Sequence, residues 1–346
     1  MFRWKSFLFW VLAILGIVGS WRLTLIFVRL GLPIRWWSLG LAFGVLQTLL
    51  AFSLTQGLTL LPLPRKWAYR LGFLLPFGWG LYIWQGHPFG WVLAAVAFLA
   101  AFFGALVVTR QRMGFWEDNY PPPLGVRASV RALHEEIIGE PIAVPAAKRV
   151  FDVLLASFAI LLSSPIWLLA LFVIWFEDPG PLFFVKNSIG RGGISFRQYK
   201  LRTMVRDAER TTGPVMASED DTRALRSGRF LRKTALDEIP QLLNILHGEM
   251  SFVGPRPQRT VLVYQYLQHM PEFAERHRVL PGLAGLAQVA GSYYITPRQK
   301  LRYDRIYAAH ASLCFDLKLI ALAFGLVLFW RWKPGSNGQI PRTWLH

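Results

Sequence analysis

At 346 residues, with 53% hydrophobic and only 17% charged and a positive mean hydropathy, the chain is too apolar for an ordinary soluble protein and reads as a membrane protein. A formal charge of +18 calls for anionic partners, either lipid head groups or phosphorylated substrates. Nucleic acid is not expected, because neither zinc-ligand spacing nor an RNA-binding aromatic signature occurs, and the single cysteine, Cys314, excludes an internal disulfide.

The amino-terminal third carries four long apolar runs, Ser6 to Trp21, Ser38 to Leu61, Leu71 to Trp84 and Trp91 to Val108. About 20 apolar residues cross the hydrocarbon, so the second and fourth qualify directly while the first and third need interfacial residues. Residues 1–109 are therefore expected to form a four-helix transmembrane bundle. The start is read as retained, since no small-residue cleavage site follows Arg3 and Lys5. Arg65, Lys66 and Arg70 between runs two and three, with Arg110 and Arg112 after run four, place both chain ends in the cytoplasm. Arg22, Arg29 and Arg35 would then lie outside, where an interfacial loop lets them snorkel to head groups.

Residues 110–147 read as a Pro-rich linker with a short helix over Val126 to Ile138. Residues 148–180 follow as one long apolar stretch, "KRVFDVLLASFAILLSSPIWLLALFVIWFEDPG", with Ser163, Ser164 and Pro165 in its middle. Proline there removes a backbone donor and crowds the Leu161 carbonyl, so a kink is expected. Lys148 and Arg149 precede the run and Lys186, Arg191 and Arg197 follow it. Positive charge on both flanks favours a re-entrant helix that enters one leaflet, turns at Ser164-Pro165 and leaves on the same side, over a kinked ordinary span. Asp152, inside the run, is expected to pair with an arginine rather than to act in chemistry.

Residues 181–318 have the mixed composition of a small α-rich (α+β) cytoplasmic domain. Within it, "TALDEIPQLLNILHGEM" (234–250) puts Asp237 and Glu238 before Pro240. Proline is tolerated only in the first helical turn, and Gly248 supplies a stop, so the carboxylates stand at or beside a helix start. Alone, this reads as a helix cap worth about 1 kcal/mol. Its neighbours point further: Arg229, Arg232 and Lys233 come just before, and Arg256 follows between Pro255 and Pro257. Cations around two carboxylates suit a phosphorylated ligand with a divalent metal between anions.

The stretches "YKLRTM" (199–204), "RKTALDEIPQLLNILHGEMSFVGPRP" (232–257), "LPGLAGLAQVAG" (280–291) and "LRYDRIY" (301–307) resemble the bacterial sugar transferase family, from about Pro145 to Leu319. That resemblance implies transfer of a sugar 1-phosphate from a UDP-sugar to a polyprenyl phosphate such as undecaprenyl phosphate. The products are UMP and the polyprenyl diphosphate sugar that begins exopolysaccharide, O-antigen or capsule assembly. It further implies Asp237 as nucleophile, forming an aspartyl phosphosugar, and Glu238 as ligand of Mg²⁺, with Mn²⁺ a substitute. Lys200, Arg202, Arg232 and Arg256 would bind phosphates, with Arg302 a further candidate. The resemblance also implies the re-entrant helix at Ser164 and Pro165, and a place in the bacterial inner membrane with the active site on the cytoplasmic face. Larger members carry a soluble domain where this chain has only its linker.

The family often shows glutamine and arginine where this chain reads "VKNSIG". "SIGRGG" (188–193) lacks the ending of a phosphate loop and reads as a plain turn. His247, His269, His277 and His310 have no metal-ligand spacing. Residues 319–346 are expected to form an interfacial helix and tail. Membrane lipids are partners, and a homo-oligomer is compatible with the sequence. Two rival readings stay open: a lipid-phosphate or nucleotide-sugar hydrolase, and a non-catalytic membrane scaffold of polysaccharide export.

Overall fold

The structure, a computed structural model, is mainly helical and describes residues 36–83, 85, 90–113, 124–206, 208, 221–290 and 295–327. The run Ser6 to Trp21, the arginines Arg22, Arg29 and Arg35, and the tail from Arg331 lie outside the described residues. The chain divides into two compact units, Met1–Phe115 with Phe172–Pro181, and Trp116–Leu171 with Leu182–His346.

In the first unit the second to fourth apolar runs form α1 (Trp36–Leu58), α2 (Arg65–Ile83) and α3 (Gly90–Met113), which pack on one another. Gly104 lets α3 meet α1 closely, because a Cβ there would lie 2.4 Å from the Thr48 carbonyl oxygen. The hydroxyls of Thr48, Thr55 and Thr109 each donate to the carbonyl four residues earlier, so these three hydroxyls are satisfied within their own helices. Phe73, Phe98, Phe102, Phe172 and Trp175 form one aromatic cluster packed largely edge to face. Among the described residues, three helices of the expected four-helix bundle are present and packed together.

The stretch expected to re-enter the membrane is α5 (Ala146–Glu177), helical through Pro165. Among the described residues it is the helix long and apolar enough to cross a membrane, with a mean hydropathy of 2.3 in its best window. The described parts of α1 and α3 include the shorter apolar helices Phe43–Leu58 and Ala94–Arg110. The chemistry of the proline is compensated next door: Ser164 Oγ donates to the Leu161 carbonyl at 2.8 Å, the group whose helical partner Pro165 cannot supply. At the carboxyl end of α5, Arg70 donates to the carbonyls of Phe176 (2.8 Å) and Glu177 (2.9 Å), and Lys66 pairs with Asp178 at 2.9 Å. Cations here meet the unpaired carbonyls and negative dipole of the last turn.

The second unit begins with α4 (Leu124–Ile138), whose Val130 and Ile138 are buried with Val263, Leu267 and Phe273. β1 (Phe183–Ile189) and β2 (Ser195–Leu201) form an antiparallel hairpin. Its turn, Arg191–Gly193, needs the positive φ of Gly192 (67°) and Gly193 (75°), so "SIGRGG" is a turn. Then come α6 (Arg226–Lys233), a 3-10 turn (Leu236–Glu238), α7 (Gln241–His247) and β3 (Ser251–Val253). After α8 (Thr260–His269) and a 3-10 stretch (Pro271–Arg278), β4 (Gly282–Ala284) pairs in parallel with β3. Three helices complete the unit, α9 (Leu286–Ala290), α10 (Pro297–His310) and α11 (Leu313–Gly325).

α11 docks through Leu319, buried with Val253 and Tyr307, while its Phe324 stays exposed. Asp316 in its first turn accepts from Tyr307 Oη at 2.8 Å and pairs with Lys148 at the start of α5. Asp152 departs from its expected arginine pairing. It accepts from Ser251 Oγ (3.0 Å) and the Phe252 amide (3.1 Å), because the start of β3 sets these two donors beside it.

Candidate active site

Asp237 and Glu238 lie in the 3-10 turn ahead of α7, not in its cap: Pro240 is the N-cap residue, and no side chain caps that helix. The chain reaches this turn through Ala235 in the left-handed region, φ 59°. A non-glycine residue there costs about 1–2 kcal/mol, so the turn is held by its surroundings and not by local preference. Those surroundings are α6 on one side and β2 on the other.

α6 approaches because Gly228 has no side chain; a Cβ would lie 2.0 Å from the Thr203 carbonyl oxygen. That contact sets Arg232, one turn on, where its Nε donates to Thr203 Oγ1 at 2.8 Å. Asn244 of α7 clamps the edge of β2, accepting from the Tyr199 amide (3.1 Å) and donating to the Arg197 carbonyl (2.7 Å). Strand and turn are therefore in fixed register, which brings Lys200 Nζ to 2.7 Å from Glu238 Oε1 and 3.8 Å from Asp237 Oδ2. Arg256 closes the far side with an ion pair to the same Glu238 oxygen and a second bond to Oε2 at 3.2 Å. Its carbonyl is fixed in turn by Arg276 Nη2 at 2.8 Å.

The electrostatics separate the two acids. Burial raises both, but the charges and hydrogen bonds of Arg256 and Lys200 hold Glu238 well below the usual carboxylate range. Asp237 is pushed upward, first by burial and then by the neighbouring Glu238, against the opposing pull of Lys200, Arg256 and Arg232. Glu238 is thus a fixed anion, and Asp237 is a buried carboxylate with no hydrogen bond shorter than the 3.8 Å approach of Lys200 among the described residues.

Of the cations read from the sequence, Lys200, Arg232 and Arg256 come to the dyad. Arg202 is fully buried at the end of β2, with its amide on the Leu182 carbonyl at 2.8 Å. Arg302 is not brought in: it is exposed on α10, without a hydrogen bond or ion pair among the described residues. The helical period explains this, since Lys300 and Asp304 share a face that Arg302 does not. Lys300 is half-buried, and its ammonium is lowered by burial and by Arg276 and Arg256. Asp304 binds Arg276 Nε at 2.8 Å in a fully buried pair.

Lys186, which in the sequence counts only as charge flanking the apolar stretch, has Lys200, Arg256 and Arg259 around its ammonium as like charges and Glu238 as the opposite one. The signal was available: once "SIGRGG" is a turn, the alternation of an antiparallel hairpin sets Phe184, Lys186 and Ser188 on the face of Lys200, Gln198 and Phe196. The histidines stand apart from this site. His247, His269 and His310 are exposed, while His277 is buried and bonded through Nδ1 to His134 Nε2 at 2.7 Å.

Two buried carboxylates beneath converging cations make a site whose charges suit a phosphorylated ligand, in a chain that carries a helix long and apolar enough to cross a membrane. The comparison with known sequences makes this specific: the chain belongs to the bacterial sugar transferase family, whose model matches residues 144–330. It is similar to the UDP-N-acetylgalactosamine-undecaprenyl-phosphate N-acetylgalactosaminephosphotransferase of Aeromonas hydrophila, 37% identical over 200 residues, covering 56% of this chain and 47% of that protein. It also resembles the UDP-glucose:undecaprenyl-phosphate glucose-1-phosphate transferase of Caulobacter vibrioides, 43% identical over 186 residues, 52% of this chain and 68% of that one. A third relative is the exopolysaccharide production protein ExoY of Sinorhizobium fredii, 36% identical over 189 residues, 50% of this chain and 82% of that one. The chain spans less than half the length of the Aeromonas relative.

Proposed function

We propose that the protein transfers a sugar 1-phosphate from a UDP-sugar to a polyprenyl phosphate, undecaprenyl phosphate in particular, the first membrane step of an extracellular polysaccharide. The observation that carries this reading is the division of the dyad: Glu238 is locked as an anion by Lys200 and Arg256, leaving Asp237 buried beside it without a close partner.

In the first step an Asp237 carboxylate oxygen bonds to the sugar-bearing phosphorus, and the phosphoanhydride bond breaks to release UMP. In the second, a phosphate oxygen of the lipid attacks the aspartyl phosphosugar and restores the carboxylate. Splitting the displacement lets one cationic site serve both halves. Lys200, Arg232 and Arg256 offset the negative charge of the transferring group, and Asp237 moves no proton, since it must be ionised to attack.

The donor set also bears on the metal. No group of three or more His, Cys, Asp or Glu that could hold one occurs among the described residues. Mg²⁺ commonly uses one or two carboxylates together with substrate phosphates, so Glu238, in exchange for an ion pair with Lys200 or Arg256, would be the protein ligand of an ion that arrives with a diphosphate. Such an ion would polarise the phosphoryl oxygens and ease departure of UMP.

The same reading places the protein in the cytoplasmic membrane with the site on the cytoplasmic face and α5 re-entrant. The flanking charge supports this, since Lys148 and Arg149 stand at the start of the apolar stretch and Lys186, Arg191 and Arg197 follow it. The Ser164 hydroxyl on Leu161 satisfies the carbonyl that Pro165 leaves without its helical donor, which is compatible with a turn within the leaflet.

Purified protein incubated with labelled UDP-sugars, Mg²⁺ and undecaprenyl phosphate tests the function. UMP together with a lipid-linked diphosphate sugar is the expected outcome. Release of free sugar phosphate would instead indicate a hydrolase, and inertness to every donor a scaffold.

A further inference from the structure

Lys186 stands in the middle of β1, directly opposite Gln198. Gln198 is committed elsewhere: its Nε2 donates to Gln241 Oε1 at 2.6 Å, and its Oε1 accepts from Ser188 at 2.8 Å. The other polar neighbours on this face are equally engaged. Glu238 is held by Lys200 and Arg256, and Arg259 lies over the Phe184 ring at 5.6 Å. Lys186 itself has no hydrogen bond and no ion pair among the described residues. A partly buried ammonium in that state is costly, and three further cations, Lys200, Arg256 and Arg259, repel it. Folding alone gives no reason for a lysine here, whereas an incoming anion would remove both costs together.

We propose that Lys186 is an anion-binding residue of the transfer site, whose ammonium takes a phosphate oxygen of the substrate that the dyad acts on. This rests on the transferase reading, because the anion it awaits is a phosphate delivered beside Asp237 and Glu238. The phosphate can come from the diphosphate of the nucleotide sugar or from the lipid phosphate, and both offer the same oxyanion chemistry. A charge-assisted bond of this kind changes affinity by about 10- to 100-fold.

The test is Lys186→Met beside Lys186→Arg in the full chain, purified in detergent, with three readouts: KM for donor and for acceptor, equilibrium binding of UDP and of inorganic phosphate, and thermal stability. The expected result is a KM increase of about 10- to 100-fold for one of the two substrates in Lys186→Met, which identifies the source of the phosphate. Weaker UDP binding accompanies the donor case, and Lys186→Arg restores most of the loss. The melting temperature of Lys186→Met should equal or exceed that of the parent, because an unpaired cation is removed. Unchanged KM for both substrates, with unchanged UDP and phosphate binding, overturns the proposal, as does a fall in melting temperature without a change in binding. The binding arm does not depend on turnover. A chain inert to every donor would sink the transferase reading, while phosphate binding lost in Lys186→Met would still establish the anion site.

Discussion

Lys200 reaches Glu238 across 38 residues of sequence, its Nζ 2.7 Å from Oε1. The same ammonium stands 3.8 Å from Asp237 Oδ2, beyond hydrogen-bond reach, so Glu238 fixes a positive charge beside Asp237. Lys200→Met should therefore remove the cation beside Asp237 while Arg256 still pairs with Glu238. Turnover is expected to fall by about 10²- to 10³-fold, as when a positioned charge is removed from a transition state. Lys200→Arg should recover part of it, and steady-state kinetics on the two variants measures the difference.

The placement of Arg232 depends on a residue without chemistry. Gly228 brings α6 against Thr203, with room for nothing at 2.0 Å from that carbonyl. Gly228→Ala must push the helix away, at a cost of about 1–3 kcal/mol for overpacking, and Arg232 loses its bond to Thr203. The expected outcome is a lower melting temperature together with lower activity. An Ala variant of full activity and stability would mean that the helix does not set the site.

Behind the cationic wall, Arg276 and Asp304 form a pair in which both side chains are 2% exposed. Replacing only one leaves a buried charge alone, at about 3–5 kcal/mol. Asp304→Leu should be strongly destabilised in thermal unfolding, and Arg276→Met combined with Asp304→Leu should recover much of the loss. Burial raises the Asp304 carboxyl while Arg276 opposes it, as expected of a charge tolerated only because of its partner.

Acid should weaken the second unit through His277. His134 Nδ1 donates to the Val130 carbonyl at 2.6 Å, so His134 Nε2 accepts from His277 Nδ1, and His277 Nε2 is buried without a partner. Burial first, then Arg276 and His134, hold His277 well below its ordinary 6.5, and burial also lowers His134. The unfolded chain then binds more protons below pH 6.5, so stability is complete above that pH and falls beneath it. The loss reaches about 1.4 kcal/mol per pH unit for a histidine kept neutral. Melting temperatures between pH 8 and pH 5 should show this slope, and His277→Leu should flatten it.

The helix α5 yields a topological prediction. With the exposed Cys314 replaced by serine, a cysteine at Glu177 should react with an impermeant reagent from the cytoplasmic side. Reaction only from outside would place α5 across the membrane.

Much of this site was legible in the sequence because its cations sit in compact motifs. Arg232 and Arg256 stand in the same long motif as the dyad and Lys200 in "YKLRTM", and Pro240 and Gly248 bound α7 as the composition of that stretch requires. The cap reading of Asp237 and Glu238 gave way because Ala235 takes a left-handed turn, a tertiary demand that local preference opposes. Arg302 and Lys300 differ by two positions on one helix, which is a half-turn of direction that only the packing of α10 resolves. Lys186 needed the hairpin register, and Arg276 with Asp304 needed a contact across 28 residues. The Ser164 bond to Leu161 was implicit in the Ser-Pro order, since a hydroxyl beside a helical proline has a carbonyl in reach.

Covalent capture tests the central assignment most directly. Protein mixed with a UDP-sugar and Mg²⁺ in the absence of lipid phosphate is quenched in acid and read by intact-mass and peptide mass spectrometry. The expected result is an added sugar phosphate on the peptide carrying Asp237, one UMP released per adduct, and loss of the adduct when undecaprenyl phosphate is supplied; Asp237→Asn should show none of it. Lipid-linked product formed at full rate by Asp237→Asn, or an adduct on another residue, would contradict the assignment of Asp237 as the nucleophile.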